Sequence, residues 1–239
     1  MVYQGSKDRI KKFILPIMLE DRQEGQYFVE PFVGGCNSLC HVDNPRIGAD
    51  SNPYLVAMWK DLQDGRAFPT DISREEYNHE RTLFRTGLSS DLGRTGYIGF
   101  NGSYGGRFFD GGYAGTTVTK SGKVRNYPNE RYNNIMKQVP MIKGIEFYAC
   151  EYDKLVIPNN SIIYCDIPYK GTKQYINSGN FDYDKFYDWC RYMRNLGHTI
   201  FVSEYSMPED FIEVWSKPIK VGLKQDNSKT NIEKLFKLK

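Results

Sequence analysis

The tetrad Asp166-Ile167-Pro168-Tyr169 closes the very apolar run Ile162-Ile163-Tyr164-Cys165, and its residue types suit one kind of chemistry. An exocyclic amine on an aromatic ring is a weak nucleophile because its lone pair is conjugated with the ring. Two acceptors on its N–H bonds would orient it and raise the electron density on nitrogen. Asp166 offers one acceptor and the Ile167 carbonyl another. Pro168 fixes its own φ and biases Ile167 to an extended backbone, so that this carbonyl can project outward instead of continuing a ladder. Tyr169 supplies a flat face on which a base could stack. The same letters also describe a strand running into a turn, so the tetrad has to be weighed with its surroundings.

Two further stretches carry ligand-binding character. Glu30-Pro31-Phe32-Val33-Gly34-Gly35-Cys36-Asn37-Ser38 follows one apolar run and precedes an expected helix; paired glycines there let backbone approach a ligand closely. Asp50 ends the next run, twenty residues after Glu30, where a nucleotide-binding α/β fold holds a ribose-binding carboxylate. An Asp before Asn52-Pro53 is also a common helix cap.

The elements needed to position these residues are legible. Tyr27 to Glu30, Arg46 to Asp50, Ile145 to Tyr148, Ile162 to Asp166 and Thr199 to Val202 read as buried strands. Asp8 to Leu19, Asn52 to Leu62 and Tyr183 to Leu196 read as helices. Alternating strand and helix predicts a doubly wound α/β sheet, with its ligand crevice at the strands' carboxyl ends. The alternation breaks between about Asp64 and Gln138: Ser73 to Leu83 has a charged helical pattern, and Gly87 to Gly122 is rich in glycine and aromatics, the composition of a turn-rich hairpin region. This divides the chain into 1–63 with 139–239 as a catalytic, cofactor-binding unit and 64–138 as an inserted region. Within the insertion, Arg94, Asn101, Ser103, Tyr104, Arg107, Lys120, Lys123 and Arg125 interleave cations and donors with aromatics, as phosphates and base edges require. Lys224 to Thr230 reads as a solvated turn before a final strand.

Composition bounds the rest. With 239 residues and 40% apolar content the chain can bury one sizeable core, and a formal net charge of +3 leaves any nucleic-acid surface to local clustering. Five cysteines with no Cys-x-x-Cys pair point to a reduced, cytoplasmic protein. The N-terminus lacks an apolar signal core, and no stretch approaches the ~18 apolar residues of a membrane span. Cys36, Cys40 and His41 fall on one expected helical turn without a second ligand pair, and neither His79 nor His198 has an acid–base partner nearby in sequence, so no metal is expected.

The order of Tyr3-x-Gly-Ser-Lys7, Glu30-Pro-Phe-Val-Gly-Gly35, Asp50-Ser-Asn-Pro53, an aromatic-glycine insertion and Asp166-Ile-Pro-Tyr169 resembles the Dam-type class of N6-adenine DNA methyltransferases. Phe147-Tyr-Ala-Cys150 before Glu151-Tyr152, and Val202-Ser-Glu-Tyr205 near the end, extend the match over nearly the whole chain. The resemblance implies a Rossmann-like methyltransferase sheet with an inserted helical and β-hairpin target-recognition region. It also implies S-adenosylmethionine as methyl donor and double-stranded DNA as partner, in a phage or bacterial setting that can include a restriction nuclease. By position, Tyr3 and Lys7 would touch the cofactor, Phe32 and Gly34 would line its methionine side, Asp50 would hold its ribose, and Glu151 and Tyr152 would flank its adenine. Asp166, Pro168 and Tyr169 would bind the flipped base, with Asp166 also close to the cofactor. Two departures stand out: Ile167 where the family usually has Pro, and a segment Gly99 to Phe109 that matches the family in flavour but no one target sequence. The same acceptor pair would suit cytosine N4 or adenine in RNA, and the rival from another class is a DNA-binding protein, or a cofactor sensor, whose methyl transfer has been lost.

Overall fold

The computed structural model describes residues 1–119, 121–171, 181–221 and 229–239. Lys120 and positions 224–228 of the C-terminal turn therefore lie outside the described residues. In chain order the elements are α1 (Lys11–Leu19), β1 (Phe28–Glu30), β2 (Arg46–Asp50), α2 (Pro53–Gln63), α3 (Arg74–Thr86), α4 (Leu92–Asn101), β3 (Thr116–Val118), β4 (Val124–Asn126), α5 (Tyr127–Gln138), β5 (Ile145–Ala149), β6 (Ile162–Asp166), α6 (Tyr183–Asn195), β7 (Thr199–Ser203), β8 (Phe211–Val221) and β9 (Lys229–Leu238).

Seven strands form one sheet in the order β5-β2-β1-β6-β7-β9-β8. The first five run parallel, β9 is antiparallel to β7, and β8 is antiparallel to β9. Parallel strands need both faces covered, which is why their runs are continuously apolar. Phe28, Tyr164 and Phe201 face one core with α1, α2 and α4; their neighbours Val29, Ile163 and Ile200 face the other with α6. The order reverses direction between β1 and β6, so the crevice of this sheet lies where Glu30 and Asp166 end their strands.

Three differences from the sequence reading have physical causes. After Gly34-Gly35 there is no full helix, only a single 3-10 turn at Leu39–His41. Cys36 sits at φ 52°, outside helical space, and Pro45 sends the chain straight back into β2. Cys36 and Cys40 are nonetheless buried. In the insertion, α4 carries Gly93, Gly96 and Gly99 at helical spacing in a segment whose composition reads as turns. A Cβ at Gly96 would come 2.1 Å from the Tyr54 carbonyl oxygen, so glycine here permits close packing on α2. The C-terminal region holds two long strands where one was expected. Pro218 is tolerated in β8 because β8 is the sheet's edge. Since β7 pairs only with Leu235 to Lys237, the remainder of the β8–β9 ribbon runs past the carboxyl end of β7 and forms one wall of the crevice.

Candidate active site

Three carboxylates converge on the crevice from the ends of consecutive sheet positions. Asp50, at the end of β2, accepts from the Gly34 N–H at 3.1 Å and the Asn52 N–H at 3.0 Å. Burial pushes its carboxyl up to about 6 despite those two donors. Glu30, at the end of β1, is 4% exposed, and its Oε1 has no hydrogen-bond partner among the described residues. Burial, and then the charge of Asp166, push the Glu30 carboxyl well above the ordinary range. Asp166 ends β6 with Oδ1 at 3.1 Å from Lys7 Nζ; burial raises its carboxyl while the ammonium opposes the rise.

Lys7 enters from the short 3-10 turn Lys7–Arg9 before α1, whose start is capped by the Ser6 hydroxyl accepting from the Asp8 N–H. Its buried ammonium also lies 3.4 Å from Glu233 Oε2 and 4.3 Å from the centre of the Tyr169 ring. Burial opposes its charge, but the two carboxylates outweigh burial and hold it protonated. The Tyr169 hydroxyl donates to the same Glu233 oxygen at 2.8 Å, and Tyr205 meets the Tyr169 ring edge-on at 4.6 Å. Tyr205 in turn accepts from Asn231 Nδ2 at 2.8 Å. The Pro168 carbonyl accepts from the Tyr183 hydroxyl at 2.9 Å, and Glu204 accepts from the backbone N–H groups of Lys170 and Tyr205. The loop after β6 is thus held from α6, from the residues just after β7 and from β9. Ile167 is itself buried among apolar side chains of the α6 face, so the departure from Pro fills core volume.

The residues expected at the cofactor divide. Tyr3 covers the glycine turn: a Cβ at Gly34 would meet its ring at 2.8 Å. The Gly34 carbonyl accepts from Trp59 Nε1 at 3.0 Å, and Gln138 Nε2 donates to the carbonyls of Gly35 and Cys36, so the turn is braced from both sides. Phe32 and Tyr152, expected at opposite ends of the cofactor, lie together with ring centres 5.4 Å apart, beside Phe181 and Phe186. Glu151 is exposed at the rim.

Residues 64–138 behave differently. Asn101 is 1% exposed and donates to the Tyr97 carbonyl; Ser103 is fully buried, its hydroxyl 3.0 Å from both Tyr77 Oη and the Phe109 nitrogen. Neither side chain reaches the surface to touch DNA: burial and internal hydrogen bonds make both part of the framework. Arg131, absent from the sequence reading, donates to the Asn101 and Ser103 carbonyls at 2.6 Å each. Arg94 is held by Glu76 and by the buried Glu80, Arg107 by Asp110, and Arg125 by Glu130. Tyr104 is exposed, 6.2 Å from Tyr127.

Sequence reasoning also missed the roles of Glu233, Tyr183 and Asn231, which sit in alternating or helical patterns without a motif. Glu204 and Tyr205 had a signal, the Val202-Ser-Glu-Tyr205 match. Among the described residues, no group of three or more His, Cys, Asp or Glu side chains could hold a metal ion, and no helix is long and apolar enough to cross a membrane.

Residues 3–200 match the family model of D12 class N6 adenine-specific DNA methyltransferases. The chain belongs to this family. Membership bears out the Dam-type resemblance and, with it, S-adenosylmethionine-dependent methylation of DNA at adenine N6 as the class of chemistry. A curated relative, the Retron Ec67 DNA adenine methylase of Escherichia coli, is 26% identical over 203 residues, covering 75% of this chain and 68% of that protein. The crystal structure of SMU.472 complexed with SAH aligns at 12% identity with a TM-score of 0.39. That alignment covers 99% of this chain and 54% of the other, so the chain spans about half the length of that protein.

Proposed function

We propose that this D12 class methyltransferase acts on adenine N6 in duplex DNA, taking the target base out of the helix and into the crevice between β1 and β6. The observation that carries this reading is the convergence at one switch point of Asp166, the Ile167–Pro168 backbone and the Tyr169 ring. Asp166 and the Ile167 carbonyl would accept the two amine N–H bonds and meet the positive charge that grows on nitrogen. Tyr169 would stack on the base, with Tyr205, Glu233 and the Pro168–Tyr183 contact holding the loop in place.

The residues present fit S-adenosylmethionine, which supplies an electrophilic methyl on a sulfonium. The Glu30 oxygen beside the glycine turn, without a partner among the described residues, suits the cationic methionine end, and the Asp50 carboxylate suits ribose hydroxyls. Phe32 and Tyr152 offer an apolar wall for the adenine. DNA contact would fall to the exposed part of the insertion around Tyr104, Arg107 and Arg125, whose carboxylate partners can be exchanged for phosphates. The test is incubation with radiolabelled S-adenosylmethionine and duplex DNA, single-stranded DNA or RNA, followed by chromatography of the nucleosides. Label in N6-methyladenine from duplex DNA is expected; label confined to RNA, or found in cytosine, would defeat the reading.

A further inference from the structure

Glu233 lies beyond the residues 3–200 that match the family, on the part of β9 that extends past β7. One of its oxygens, Oε2, takes two contacts at once: the Tyr169 hydroxyl at 2.8 Å and the Lys7 ammonium at 3.4 Å. The same ammonium reaches Asp166 at 3.1 Å and covers the Tyr169 ring at 4.3 Å. Glu233 is therefore linked to both residues that would hold the target base, without itself standing at the end of a parallel strand.

Charge counting shows what this linkage does. Lys7 alone with Asp166 would make a neutral, mutually satisfied pair, in which the carboxylate is a weak acceptor. A second carboxylate on the same ammonium leaves the trio with one net negative charge. In a site partly screened from water, that charge is available to an amine becoming cationic. We propose that Glu233 is a positioning residue for methyl transfer: it shares the Lys7 ammonium so that Asp166 keeps its capacity to accept from the target amine, and it fixes the Tyr169 ring through the phenol. This rests on the adenine-N6 reading above.

Among the described residues, the other titratable groups facing this trio are Glu30, Tyr164 and Cys165 around Asp166, Glu204 around Lys7 and Asp166, Tyr205 around Glu233 and Lys7, and Tyr169 around Asp166 and Glu233. The Glu233 charge raises the Asp166 carboxyl, so removing it moves Asp166 downward, in the same direction as a tighter Lys7 pair.

The experiment compares the full-length wild type with Glu233→Gln, Glu233→Asp and Tyr169→Phe in two ways. Carbon-13 titration of the Asp166 carboxyl needs no turnover; single-turnover methylation of duplex DNA is followed across pH. In Glu233→Gln, Asp166 should titrate at lower pH than in wild type, and the rate should fall roughly 10-fold or more, the scale of one charged hydrogen bond. Binding of S-adenosylhomocysteine should stay at the wild-type level. Tyr169→Phe, which loses only the phenol contact, should lose less rate and leave the Asp166 titration in place. Should the Gln variant fail to fold, Glu233→Asp retains the charge one methylene short. It should keep the Asp166 titration and lose rate to about the extent of Tyr169→Phe; a wild-type rate there overturns the proposal. An unmoved Asp166 titration in Glu233→Gln also overturns it, whatever the rate, because a merely structural role predicts that result. A wild type that methylates no adenine would sink the functional reading, while the carboxyl titration would still decide the role of Glu233.

Discussion

At the carboxyl edge of the sheet, the buried Lys7 and Tyr169 and the half-buried Asp50 and Asp166 gather at one crevice, whereas within residues 64–138 Arg94, Arg107 and Arg125 each face a neighbouring carboxylate. The difference reflects how each kind of position is determined. A residue at a parallel strand's carboxyl end is placed by the strand's period and by the sheet's topology, both written locally. A surface contact is decided by whichever side chains the tertiary fold brings beside it. Arg94 is tied to Glu80, which is 5% exposed, and to Glu76, so it serves the α3–α4 packing. Arg107 and Arg125 pair with partly exposed carboxylates, weak contacts in water, and can exchange them for phosphate.

The same contrast governs what was legible beforehand. β2 and β6 begin and end at the residues read from sequence, because an uninterrupted apolar run bounded by Asp50 or Asp166 admits few alternatives. The helix α4 was not legible: its glycines carry a turn-like composition, and the use of Gly96 against Tyr54 depends on a residue distant in the chain. Asn101 and Ser103 were read as donors for DNA because their types suit base edges; burial, which sequence does not display, turned them inward. Glu233 gave no signal because its function comes from the ribbon overrunning β7, a matter of register.

Among effects outside the chemical step, the largest is expected at Asp50. Asp50→Ala should weaken S-adenosylmethionine binding by ~1.5–3 kcal/mol, as read by calorimetry on a protein folded by circular dichroism. An unchanged affinity would remove Asp50 from the cofactor site and break the contrast at its firmest point. The pH dependence sharpens it. With the folded carboxyl raised to about 6, its contribution to folding is fully present below the unfolded Asp value and is lost as pH rises through about 6. Ribose hydroxyls donate to the ionised form, so cofactor affinity should rise through the same window, and Asp50→Asn should abolish that rise. Affinity independent of pH in wild type would contradict this.

A comparable but structural effect is expected at Ser103. Ser103→Ala leaves the Phe109 N–H and the Tyr77 hydroxyl short of a partner, and thermal or urea unfolding should register a loss of ~1–3 kcal/mol. Normal stability with weakened DNA binding would restore Ser103 as a contact. The smallest effect on folding is expected at Arg107, whose partner Asp110 is partly exposed. Arg107→Ala should change stability by less than about 1 kcal/mol. Its DNA affinity should fall with a salt slope shallower by about 1 if it meets a phosphate. DNA titrations at several salt concentrations that match wild type would exclude it as a contact.

The central claim is that the chemistry resides at the strand ends, in the Asp166 carboxylate above all. It is tested most directly by single-turnover methylation of duplex DNA, at saturating S-adenosylmethionine and DNA, by wild type, Asp166→Asn and Arg107→Ala. Asp166→Asn keeps the side chain's shape but removes its charge and one acceptor, so the rate should fall by ~100-fold or more, with the product on adenine N6. Arg107→Ala should retain the wild-type rate once DNA is saturating. Full activity in Asp166→Asn, or methylated cytosine as the wild-type product, would contradict the account.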